Sequence, residues 1–169
     1  LFFAGCVATG IFGIGRKIPM NRVNDLGQRE GYWRDSVGGG FVYDLYYKGG
    51  KKDGLYKRFY RNKLFLFGEY TADNISGTWY MFGDEGELRC TIDSIELNKD
   101  SIYTGYCRIF CKYKCHSIDY YPSGAVKSEG YMVCDEEFEI EIWEIGEWKY
   151  YDESGNLIKT KDYGDRRTP

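Results

Sequence analysis

The sequence predicts an all-β protein, an elongated antiparallel array of β-hairpin repeats, on three observations. A Gly-x-aromatic step recurs every 23 residues, aromatic side chains (17 Tyr, 10 Phe, 4 Trp) make up much of the apolar set, and 22 Gly stand against only 3 Pro. Aromatic and β-branched residues suit a pleated surface, and glycine supplies the positive φ that tight turns require. A chain of 169 residues is long enough to bury a core and falls within the usual size of one domain.

The repeat steps are Gly31-Tyr32-Trp33, Gly54-Leu55-Tyr56, Gly77-Thr78-Trp79 and Gly146-Glu147-Trp148. The first three lie 23 residues apart, and the last follows after 69, three periods on, although the intervening registers hold Asp100 and Ser123. The repeat positions are therefore Gly31, Trp33, Gly54, Tyr56, Gly77, Trp79, Gly146 and Trp148, with Trp79 and Trp148 expected to occupy equivalent places in the core.

Each copy has the same internal order. In Gly146 to Lys159, Trp148 and Tyr150 alternate onto one face, Asp152-Glu153-Ser154-Gly155 forms a tight turn, and Leu157 opens the return strand. The copy from Gly54 turns at Asn62 and closes at Gly68-Glu69-Tyr70; the copy from Gly77 turns at Gly83-Asp84-Glu85-Gly86. A partial copy, Tyr120 to Tyr131, keeps the turn and the return strand. One hairpin is marginal in water, so successive hairpins must stack to give each aromatic row a neighbour.

These residues resemble the bacterial variant of the MORN repeat found in YwqK-like proteins, whose repeats read approximately Gly-x-Trp-x-x-Tyr-x-x-x-Gly-x-Leu. Tyr47 to Gly54 is similar to that family's joint between repeats, and the resemblance extends from about Asn24 to Gly164. It implies a fold and no shared catalytic residue. The chain is accordingly divided into an apolar N-terminal targeting or anchor segment, residues 1–20, and a MORN-like repeat domain, residues 21–169. A section at about 91–117 is irregular because no clean Gly-x-aromatic step occurs there.

Leu1 to Gly15 carries no charge and is closed by Arg16-Lys17, the pattern of a membrane-targeting segment. Phe3-Ala4-Gly5-Cys6 resembles a bacterial lipobox, which makes Cys6 a candidate lipid anchor. The rival is a retained signal anchor. About 15 helical residues span roughly 22 Å against the roughly 30 Å of a bilayer core, so that anchor requires further apolar residues upstream.

A net charge of −3 gives no electrostatic reason to expect nucleic acid or anionic lipid headgroups as partners. Cys107, Cys111 and Cys115 are spaced by four and followed by His116. On one extended strand the three thiols would share a face but spread over roughly 27 Å, too far for a single zinc ion, so no metal is expected. Pairing with Cys90 or Cys134 and burial as free thiols both stay open. His116 adjoins Cys115, and on a strand neighbours point to opposite faces, which disfavours a Cys-His nucleophile pair. The acidic run from Asp135 to Glu147 reads as a half-buried strand in which Phe138, Ile140 and Ile142 alternate with solvated carboxylates. Gly38-Gly39-Gly40 and Gly49-Gly50 are turns rather than a phosphate loop, because no Lys-Ser or Lys-Thr follows them.

With no catalytic constellation, no enzyme and no cofactor is expected. The sequence instead points to a structural or protein-interaction module of the cell envelope, membrane-anchored and facing protein partners, a membrane-embedded complex among them. The alternatives are a cytoplasmic antitoxin or immunity-type binding protein and a glycan- or ligand-binding module.

Overall fold

The computed structural model describes residues 19–99, 111–135, 138 and 142–164. Residues 1–18, with Cys6 and most of the candidate anchor, lie outside the described residues, as does Cys107. The strands are β1 (Arg22–Val23), β2 (Arg29–Ser36), β3 (Phe41–Lys48), β4 (Lys51–Tyr60), β5 (Lys63–Thr71), β6 (Asn74–Phe82), β7 (Leu88–Leu97), β8 (Tyr113–Tyr120), β9 (Val126–Cys134), β10 (Ile142–Tyr151) and β11 (Leu157–Asp162). They pair in chain order into one sheet of successive antiparallel hairpins that does not close into a barrel. Among the described residues there is no helix, so the fold is the all-β hairpin array that the 23-residue period predicts. The array continues through the irregular section, where β7 pairs directly with β8.

Two kinds of turn recur among the hairpins. Between β3 and β4, β4 and β5, and β5 and β6 the loop has two residues, and both are left-handed: Gly49-Gly50, Arg61-Asn62 (φ 49° and 65°) and Ala72-Asp73 (φ 50° and 70°). That is the type I′ geometry, whose twist matches the flanking strands. The other kind ends on a left-handed glycine, with Gly86 N–H donating to the Gly83 carbonyl, Gly124 to Tyr121 and Gly155 to Asp152 at 2.8–3.0 Å. In the last of these the Asp152 carboxylate accepts from Asn156 through both its side chain and its backbone, and from the Ser154 N–H. These bonds hold the carboxyl below the usual aspartate range.

Ala72 pays for its turn position, because a Cβ crowds the carbonyl in the left-handed region and an Asn side chain tolerates it better. Ala72→Asn is expected to raise stability by about 0.5–1 kcal/mol, seen as a higher urea midpoint with an unchanged slope. An unchanged midpoint would show that Ala72 is not strained. Asp73 must be kept, since its carboxylate accepts the Lys52 N–H at 2.7 Å.

The repeat glycines have one local function. Gly31, Gly54, Gly77 and Gly146 all take positive φ inside strands. At Gly54, Gly77 and Gly146 the strand carries two more residues than its neighbour between flanking pairs: Lys52 to Tyr56 against Leu45 to Tyr47, Ser76 to Tyr80 against Phe67 to Glu69, and Ile145 to Lys149 against Glu129 to Tyr131. The glycine is thus a bulge, which bends the strand and increases its twist. In β7 the corresponding shift falls at Ser94 (φ 51°), between Asp93 and Glu96.

The bends turn one face of the sheet inward on itself, and this hollow face holds the main core. Leu45, Tyr56, Leu66, Tyr70, Ile75, Trp79, Ile92, Tyr113, Cys115, Met132, Cys134 and Trp148 are buried in one cluster. The curl brings β8 over β6, where the Tyr113 hydroxyl accepts the Ile75 N–H at 3.3 Å. Phe138 stands apart from the alternating strand expected of it. It lies in the connection before β10 with φ 55°, buried against Trp79 at 5.2 Å between ring centroids. A smaller cluster of Cys111, Val133 and Ile145, with Trp143, lies on the other face of β9.

Candidate functional site

Between β5 and β10 the hollow face leaves a cleft of about 570 Å³. That volume is in the range of ordinary ligand sites. Its position follows from the curl of the sheet, which brings β10 round to the same hollow as β5 and β6. Phe65, Met81, Ile92, Met132, Trp148 and Tyr150 form its apolar part. Arg89 and Lys127 are exposed at its margin, while Asp119 and Glu144 supply carboxylates. Both charge signs therefore face one hollow.

The polar groups beneath are ordered. Ser128 Oγ donates to the Asp119 carboxylate at 2.8 Å, which fixes that acid in place. Thr91 Oγ1 lies 3.1 Å from the Tyr120 hydroxyl, and the Tyr150 and Tyr163 hydroxyls are 2.8 Å apart. Burial, and then the bond to Tyr163, raise the Tyr150 phenol above its ordinary value. Cys90 Sγ lies 3.3 Å from Ser117 Oγ, and burial pushes its thiol up to about 12. A thiol so raised is not a nucleophile at neutral pH, because the thiolate is the reactive form.

The residues singled out in the sequence fall as follows. Trp79 is 0% exposed and Trp148 5%, both on the hollow face, and Tyr56 is buried beside Trp79. Trp33 is half-buried, with the Arg29 guanidinium 4.4 Å above its ring. Trp79 and Trp148 occupy closely similar settings, because each indole lies over a glycine of the adjacent strand. A Cβ at Gly68 would come within 2.2 Å of Trp79, and one at Gly130 within 2.5 Å of Trp148. Their indole N–H groups find different acceptors, the Ser76 carbonyl at 3.1 Å and the Tyr131 carbonyl at 2.8 Å.

Cys90, Cys115 and Cys134 are free thiols. Cys111 does not share the face of Cys115. It precedes β8 and packs with Val133 and Ile145, whereas Cys115 lies in the main core. His116 points away from the cleft, with Nδ1 3.5 Å from Asp93 and its ring edge-on to Tyr131. Among the described residues no three His, Cys, Asp or Glu side chains converge as a metal site would require.

Sequence reasoning did not find Arg89, Asp119, Lys127 or Glu144 as neighbours, nor Gly68 and Gly130 as seats for the tryptophans. The one local signal was the glycine in the return segments Gly68-Glu69-Tyr70 and Glu129-Gly130-Tyr131. No helix among the described residues is long and apolar enough to cross a membrane. Compared with family models, with curated proteins and with solved structures, the chain has no match.

Proposed function

We propose that the chain is a non-catalytic, MORN-like interaction module of the cell envelope, which holds an extended peptide segment of a partner protein in its hollow face. The observation that carries this reading is the cleft itself. It combines an apolar floor with Arg89 and Lys127 as donors and Asp119 and Glu144 as acceptors. A peptide presents both carbonyls and N–H groups, so it can satisfy both signs at once. A nucleic acid would meet two carboxylates, Asp119 and Glu144. Placement in the envelope rests on the uncharged run from Leu1 to Gly15 and the lipobox-like Phe3 to Cys6.

The test is selection of a random peptide library on the immobilised full chain, followed by affinity measurement with charge-reversed variants. Arg89→Glu combined with Lys127→Glu, and separately Glu144→Lys, are expected to weaken selected peptides at least about tenfold, roughly 1.4 kcal/mol, with little change in melting temperature. Lys57→Glu, outside the cleft, should bind as the parent does. Equal binding by all variants, or retention of oligosaccharides but no peptide, would remove the proposal. Intact mass of the native protein tests the anchor separately: acylation at Cys6 supports the lipoprotein form, and full-length protein found wholly in the soluble fraction excludes the envelope.

A further inference from the structure

Among the described residues four cysteines are buried, and two of them are adjacent. Cys115 Sγ and Cys134 Sγ lie 3.5 Å apart, both 0% exposed, on neighbouring strands. In the β8–β9 register Cys115 pairs with Met132 and Cys134 with Tyr113, so the two cysteines are diagonal neighbours projecting from the same face. Cys90 is held beside Ser117, and Cys111 is in the cluster on the other face. Neither competes for this pair. A disulfide is about 2.05 Å long, so the sulfurs must approach by roughly 1.5 Å, through rotation about both χ1 bonds together with a small shift of the two strands.

We propose that Cys115 and Cys134 form a redox pair, which closes to a disulfide across β8 and β9 when the chain folds in the presence of an external disulfide. The thiolate of one cysteine attacks the external disulfide, forming a mixed disulfide and releasing one small thiol. The thiolate of the other then displaces the second small thiol and forms the Cys115–Cys134 bond. Two protons and two electrons leave the protein, and the oxidant is reduced to two thiols. Since both sulfurs are sealed in the finished sheet, the exchange takes place before the β8–β9 hairpin closes. The bond would stiffen the wall of the cleft at Met132, whose carbonyl faces the Cys115 thiol at 3.9 Å.

The experiment refolds the full chain from denaturant in a buffer of oxidised and reduced glutathione, alkylates the remaining thiols under denaturing conditions, and maps tryptic peptides without reduction. The peptides 115–127 and 128–149 each contain one cysteine. They are expected as a single linked species, about 2 Da lighter than the sum of the reduced peptides, with Cys90 alkylated. The oxidised protein should melt higher than the reduced protein by about 5–10 °C, from the roughly 20-residue loop that the bond closes. Full alkylation of Cys115 and Cys134, or linkage of either to another cysteine, would overturn the proposal. The wild-type map needs no variant to fold, and Cys115→Ser adds a check: Cys134 should then be alkylated rather than paired elsewhere.

Discussion

Gly68→Ala is expected to destabilise the protein by about 3 kcal/mol or more, although it adds a single methyl group. The reason is contact rather than backbone conformation. An added Cβ would lie 2.2, 2.4 and 2.6 Å from three indole carbons of Trp79, and that ring cannot move aside. Tyr70 at 5.3 Å, Tyr56 at 5.4 Å and Phe138 at 5.2 Å between centroids enclose it. Trp79→Ala should cost about 3–5 kcal/mol by loss of buried surface and the cavity that remains. The double variant decides whether the two effects are one. With the indole gone, the new methyl enters vacated space, so the combined loss should fall short of the sum by about 1–3 kcal/mol. Chemical denaturation of the four proteins measures this, and strict additivity would refute the pairing of ring and glycine. Gly130→Ala beneath Trp148 should behave in the same direction.

The second large effect is expected at Arg58. Its side chain is 6% exposed, and its guanidinium carbon lies 4.8 Å from the ring centroid of Phe41, 5.5 Å from Tyr43 and 5.3 Å from Phe65. A planar, weakly hydrated cation can lie against several rings at once, whereas a lysine ammonium is compact and strongly hydrated. Arg58→Lys is therefore expected to lose about 2 kcal/mol despite keeping the charge. Arg58→Ala should lose about 3–5 kcal/mol, because the packing of the side-chain stem goes too. If Arg58→Lys unfolds at the same denaturant concentration as the parent, stacking contributes nothing and the residue serves only as a spacer.

The hairpins were legible because a turn is a short-range event. Asp152 to Asn156 carries its whole mechanism within five residues, and the 23-residue step marks bulges that recur for the same local reason. Where turn chemistry was weak, so was the signal: Asn62 marked its turn, but Ala72-Asp73 contains neither glycine nor asparagine, yet both of its residues are left-handed. Phe138 was misplaced because alternation with glutamates imitates a strand, while its burial on Trp79 depends on a strand more than fifty positions earlier. The cleft was illegible for a related reason. Arg89, Asp119, Lys127 and Glu144 come from four different strands, and only the accumulated bending of the sheet brings them to one hollow.

The glycine bulges also govern which errors the chain can make while folding. A strand with two extra residues cannot slide past its neighbour, because the left-handed position would then fall on a residue with a Cβ. Slippage is thereby blocked. Exchange is not, since the same notch is cut at Gly54, Gly77 and Gly146, and a strand that fits one neighbour fits the corresponding strand of another hairpin or another molecule. The characteristic misfolded form should consequently be a swapped assembly with correct local registers rather than a frame-shifted monomer, and the similar glycine seats of Trp79 and Trp148 leave such an exchange open.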